Sequence, residues 1–137
     1  MALSAVSKRR LTKLADFLDG LRLSKSRRFD LTEWGNKTEC STAACAVGWA
    51  TTIPSFRKAG FKTKQLEYSP ESEGRFCPTY RSHSGFKAAC EFFGLDRRQV
   101  DYLFTTEGYK QPTKSAVVRR IRAFVKSEGT KTYELFS

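Results

Sequence analysis

The chain has little of what most enzymes and membrane proteins are built on. One histidine, His83, serves 137 residues, so only one imidazole is on hand for a base or ligand role. No apolar run reaches the ~20 residues of a membrane-spanning helix. Residues 1–6 are too short for the apolar core of a secretion signal, and basic residues follow them directly. The phosphate-cradling patterns Gly-x-x-x-x-Gly-Lys and Gly-x-Gly-x-x-Gly are missing. The zinc-deaminase pattern fails too, because Ser84 and Gly85 follow His83 where a Glu should stand two positions on. There is no internal repeat and no low-complexity stretch. These absences point to an intracellular, cytoplasmic protein with no membrane contact and no evident small-molecule substrate, its four cysteines reduced.

Acidic residues are scarce as well. Fourteen stand against 25 Lys and Arg, for a net charge of +11. The excess lies at the two ends. Residues 1–28 hold eight basic side chains and two acidic ones, residues 109–137 hold seven and two, and the middle is neutral. Two basic ends folded together would form one positive patch, suited to a polyanion. Disorder is excluded by 18 aromatic residues spread along the whole length. A single domain, 1–137, is expected, with residues 1–6 and 131–137 as tails.

Most of the pattern is helical. Leu11, Leu14, Ala15, Leu18 and Leu21 form a stripe, with Ser7 as the expected N-cap. Phe29-Asp-Leu-Thr-Glu-Trp34 reads as a capped turn or short helix, with Asp30 and Glu33 spaced as a capping box. Residues 41–53 read as the second main helix, N-capped by Cys40 or Ser41 and ended by Pro54. A short turn should follow, closed by Gly60. Residues 61–80 read as a small β-hairpin or flap, with Pro78 marking an edge strand. Ser84 should cap a helix whose inner face is Phe86, Ala89, Cys90 and Phe93, stopped by Gly94. Asp96 and Gln99 form a capping box for the next helix. Thr113 should cap the last, with Val117, Val118, Ile121, Phe124 and Val125 facing inward. The expected fold is mainly α (α+β): four or five helices and a flap at about 61–80.

The cysteines argue against metal or covalent chemistry. Structural zinc ligands pair two to four residues apart, whereas Cys40 and Cys45 are five apart and Cys77 and Cys90 thirteen. Five helical residues turn about 500° and rise about 7.5 Å, which sends two side chains apart and forbids a local disulfide. A set of Cys40, Cys77, His83 and Cys90 remains a conceivable ligand group. Cys40 keeps a minor claim to reactivity, because a helix N-terminus favours a thiolate. Buried small apolar cysteines are the plainer reading. The expectation is no cofactor, no metal and no enzyme. Ala43, Ala44, Ala46 and Gly48 are small enough for another backbone to approach closely, with Trp49 as anchor.

The basic helices are the candidate site. Five basic residues and no acid occupy positions 114–126. With Val117 at zero, Arg119, Arg122 and Lys126 fall at about 200°, 140° and 180°, opposite the apolar face. Lys8, Arg9, Arg10 and Lys13 offer a second cluster. The predicted binding residues are therefore Arg9, Arg10, Lys13, Arg119, Arg122 and Lys126, for phosphates or an acidic protein surface. Tyr68, Tyr80 and Tyr109 are weaker candidates for stacking on bases, since tyrosines in loops more often serve as half-buried props.

Taken together, Phe29-Asp-Leu-Thr-Glu-Trp34, Cys40-Ser-Thr-Ala-Ala-Cys45-Ala-Val-Gly48-Trp49 and Gly85-Phe-Lys-Ala-Ala-Cys-Glu-Phe-Phe-Gly-Leu95 resemble a group of small proteins from tailed phages and bacterial genomes. That group carries a Cys-Gly-Thr-x-x-Cys-x-x-Gly motif, and the similarity covers most of residues 8–126. Ser41 replaces the usual Gly, and Pro112-Thr113 reverses a Thr-Pro pair. The resemblance implies a compact helical domain and a phage or prophage setting, hence the host cytoplasm. It brings no catalytic residues. The functional expectation is a non-enzymatic phage-type accessory protein that binds nucleic acid through a basic surface. The alternative is an inhibitor of a host defence or nucleic-acid-processing enzyme.

Overall fold

Leu11, Leu14, Ala15 and Leu18 are fully buried, and the helix that carries them, α1, runs Ala5–Gly20. In the computed structural model residues 3–31, 34–37, 42–65, 75–106 and 108–130 are described. The N-cap of α1 is Ser4, whose side chain accepts from Ser7 N at 3.0 Å. Ser7, the expected cap, lies one turn inside the helix and is buried, its hydroxyl facing Gly94 O. Ala5 and Val6 are consequently helical, where a tail was expected.

Residues 42–53 depart most from expectation. Thr42–Ala44 is a strand, β3, between β1 (Arg27–Phe29, parallel) and β2 (Asn36–Lys37, antiparallel). The helix, α2, is only Ala46–Ala50. Its N-cap is Cys45, whose Sγ accepts from Gly48 N at 3.4 Å. The hydroxyls of Thr51 and Thr52 take the carbonyls of Gly48 and Trp49 at 2.6 Å, so side chains replace the next helical turn. Pro54 then opens α3, Pro54–Lys58, from the extended Ile53. The predicted caps Cys40 and Ser41 lie outside the described residues, as do Thr32, Glu33, residues 66–74 and residues 131–137. The Asp30–Glu33 capping box falls there too.

The expected hairpin is present. β4 (Lys62–Gln65) pairs antiparallel with β5 (Phe76–Tyr80), in the register Thr63 to Pro78. A short β6 (His83–Ser84) pairs with the other side of β5, so Pro78 occupies the central strand and not an edge. The strand tolerates it because the position its missing N–H would face is Gly85. Gly85 N donates to Pro78 O at 2.9 Å, while Gly85 O accepts from Ala89 N in the next helix. No acceptor is orphaned.

That helix, α4 (Phe86–Phe93), is N-capped by Gly85 at φ +65°, while Ser84 is spent in β6. Its buried residues are Ala88, Ala89, Phe92 and Phe93; Phe86 and Cys90, expected inside, are half-buried. Gly94 ends it in the left-handed conformation, as expected. α5 (Arg97–Phe104) carries the full Asp96–Gln99 capping box, and α6 (Lys114–Lys126) is capped by Thr113. The result is an α+β fold, with six helices and two three-stranded sheets among the described residues.

One aromatic cluster fills the centre. Phe61 stacks on Phe92 at 4.3 Å, and Phe56, Tyr80 and Phe93 meet Phe92 edge-on at 4.8–5.2 Å. The small-residue seam expected around Gly48 is real: a Cβ at Gly48 would lie 1.8 Å from the carbonyl oxygen of Trp34 and 2.9 Å from Ala44 Cβ. Backbone is pressed on backbone there, with no flexible side-chain end to yield. Gly48→Ala should therefore destabilise the fold by about 3 kcal/mol, the upper end for overpacking. Chemical denaturation checks this; an unshifted midpoint would contradict the close approach.

Candidate functional site

The first and last helices pack antiparallel, and charged side chains set their alignment. Lys8 pairs with Glu128 at one end. Arg122 reaches Asp16 at 3.1 Å and Asp19 at 3.3 Å midway. At the other end the Lys114 ammonium donates to the carbonyls of Leu18, Leu21 and Asp19 at 2.6, 3.1 and 3.4 Å. Those carbonyls lie at the C-terminal end of α1, where Leu18 O also accepts from Leu21 N at 3.1 Å, so Lys114 caps that helix from another element. The two basic ends of the chain are thereby brought side by side.

The six predicted binding residues divide into two kinds. Arg9 and Lys13 on α1, and Arg119 and Lys126 on α6, are exposed and form no ion pair among the described residues. Arg10 turns inward. Its guanidinium lies 4.0 Å from the Phe92 ring centre and donates to Phe92 O. Phe61 stacks on the same ring, and at these distances the two must hold opposite faces. Arg10 thus seals the aromatic cluster. Arg122 is committed to two carboxylates, and the hydrogen bond it donates to Asp16 leads the effects that raise its pKa above the usual arginine value. A phosphate would have to displace those partners to use either residue.

Two structural roles escaped the sequence reading. One is Lys114. A lysine in the first turn of a helix opposes the helix dipole, and that locally unfavourable placement is the signal that its partner lies elsewhere. The other is Arg120, which donates to Tyr102 O at 2.8 Å and Gly108 O at 2.9 Å. It lies over Tyr102 and Tyr109 at 4.3 and 3.7 Å, and so braces the loop before α6. Tyr109 itself donates to Leu103 O. Tyr80 is buried in the aromatic cluster, and Tyr68 lies outside the described residues. Neither Tyr80 nor Tyr109 is free to stack on a base.

Among the described residues the cysteines, Cys45, Cys77 and Cys90, show no reactive setting; Cys40 lies outside them. Cys45 occupies the N-cap expected of Cys40, but it is buried, and desolvation pushes its thiol from 9.0 up to about 11. Burial also raises Cys77 and Cys90. Among the described residues no three of His, Cys, Asp and Glu gather as metal ligands. An open cleft of about 330 Å³ is lined by Leu31, Trp34, Cys45, Phe86, Phe104, Thr105 and Thr106, and among these described residues Cys45 is the one titratable side chain. No helix is long and apolar enough to cross a membrane among the residues described. No protein family, curated protein or solved structure matches the chain.

Cys45 should resist alkylation at neutral pH until the protein is denatured. Its raised pKa has a definite sign in stability. The unfolded thiol ionises above pH 9.0 while the folded one stays protonated up to about 11, so stability is full below pH 9 and falls between the two. Melting curves of wild type and Cys45→Ala should converge across that window by up to about 2 kcal/mol. Rapid labelling of native Cys45, or parallel pH profiles, would contradict this environment.

Proposed function

We propose that this protein is a small non-enzymatic accessory protein that binds nucleic acid through the basic surface built by its first and last helices. The observation that carries this is the antiparallel seam: Arg9, Lys13, Arg119 and Lys126 stand exposed on two adjacent helices whose other faces are anchored in the core. Cations on helices held rigidly by their apolar side can position phosphates without reading sequence. The phage-type setting and the host cytoplasm belong to this proposal and rest on the motif resemblance. The alternative, an inhibitor that engages an acidic host protein, would use the same charge. Protein interfaces normally add an apolar core to a polar rim. Among the described residues the only large apolar side chains exposed are Val6 and Leu23, which favours nucleic acid.

Binding to a fluorescent DNA duplex, followed by anisotropy, should weaken steeply with salt. Four phosphate contacts predict a slope of about −3.6 in log affinity against log salt. No binding at low salt, to either duplex or single strand, would overturn the proposal. A discrete host protein recovered in a pull-down after nuclease treatment would favour the inhibitor reading.

A further inference from the structure

The sides of the α1–α6 pair are less positive than their composition implies. Lys8 is neutralised by Glu128, and Arg122 faces two carboxylates. The end of the pair where α1 finishes and α6 begins is different. The segment that leaves α1 carries Arg22, Lys25, Arg27 and Arg28 with no acid between Asp19 and Asp30, and residues 22–28 are all exposed; Asp16, which lines an open cleft with Arg22 and Arg27, is already paired with Arg122.

This segment is folded. Ser24 N donates to Arg27 O at 2.9 Å and Arg27 N to Ser24 O at 3.2 Å, closing a two-residue turn with Lys25 and Ser26 at its tip. Ser24 Oγ accepts from Ser26 N at 3.3 Å. The outgoing side is strand β1, bonded to β3, and Trp49 Nε1 donates to Arg28 O at 3.0 Å. The Arg27 guanidinium lies 5.5 Å from the Trp49 ring centre. These bonds tie the exposed turn to β3 and Trp49.

Lys114 brings a second cationic segment to the same end. Its bonds to Leu18, Asp19 and Leu21 dock the start of α6 on the end of α1. The loop that precedes α6 contributes Lys110, which with Arg119 lines an open groove of about 540 Å³. The dipoles of the antiparallel pair oppose each other at this end, and Lys114 offsets the unfavourable one. The negative end of α1 is covered by an ammonium, and the positive end of α6 lies alongside.

We infer that the main phosphate-contact surface of this protein is this end of the helix pair, formed by Arg22, Lys25, Arg27 and Arg28 on the turn and by Lys110 and Arg119 beside it. The inference rests on the nucleic-acid reading and moves its centre away from Arg9, Lys13 and Lys126. Four of the six are arginines, whose planar fork suits phosphate oxygens.

Two triple variants of equal charge loss separate the surfaces. One removes the turn cations (Arg22→Ser, Lys25→Ser, Arg28→Ser) and the other the helix-side cations (Arg9→Ser, Lys13→Ser, Lys126→Ser). All six positions are exposed, so both variants should fold, which circular dichroism and melting temperature establish. With a labelled duplex at about 0.1 M salt, the turn variant should lose on the order of 100-fold in affinity, with a salt slope shallower by about 3. The helix-side variant should lose under about tenfold. Wild-type binding with equal losses in the two variants, or a larger loss in the helix-side variant, overturns this inference and leaves the proposed function standing. Failure of wild type to bind duplex or single strand overturns the function itself. Binding of polyglutamate without binding of nucleic acid overturns both.

Discussion

The placement of the two basic ends depends on the joining of α1 to α6, and that joining is lined by charged groups that satisfy one another. A helix of 16 residues leaves carbonyls at its C-terminus without partners. Here an ammonium from another helix donates to the carbonyls of Leu18, Asp19 and Leu21 at that end. Asp16 and Asp19, the only acids on α1, are placed where Arg122 crosses. The apolar stripes of the two helices would pack in many registers on hydrophobicity alone. The polar contacts along the seam select one, and that register decides which cations remain free.

The core follows the same logic at another scale. Phe92 is contacted by four aromatic rings and one arginine. The rings supply buried area and edge-to-face geometry. Arg10 closes the cluster with its planar face and satisfies a backbone carbonyl with its N–H. A residue that counts as surface charge in the sequence thus acts as a lid on apolar packing. The same holds for Arg120 over Tyr102 and Tyr109. An excess of basic residues is therefore not a count of free cations.

Local features were legible in the sequence and distant ones were not. The stripe of α1, the Gly94 stop, the Asp96–Gln99 capping box and the Thr113 cap are each written within a few residues, and each stands where expected. Residues 42–44 carry no comparable signal. Small residues suit a helix, but a neighbouring strand at 27–29 recruits them, and that neighbour is remote in sequence. Pro78 misled for a related reason: its tolerance in a central strand depends on a hydrogen bond from Ala89 to Gly85. The candidate site divides in the same way. The two cationic ends were visible as composition, and small residues around Gly48 as a seam. The commitment of Arg10, Arg122 and Lys114 was hidden, because each is bound to a partner that only the helix pairing supplies.

The seam also has a consequence in time. The bonds across it join residues 93 to 120 positions apart. Contacts of such separation form late, after shorter loops have closed and reduced the entropy still to be lost. During synthesis α1 emerges long before the residues that cap it. The combined positive surface therefore belongs to the completed fold alone, and a nascent or opened chain presents two separate basic segments in its place. A polyanion that bridges both segments draws the chain toward its closed state, since a ligand that prefers the native form adds to its stability.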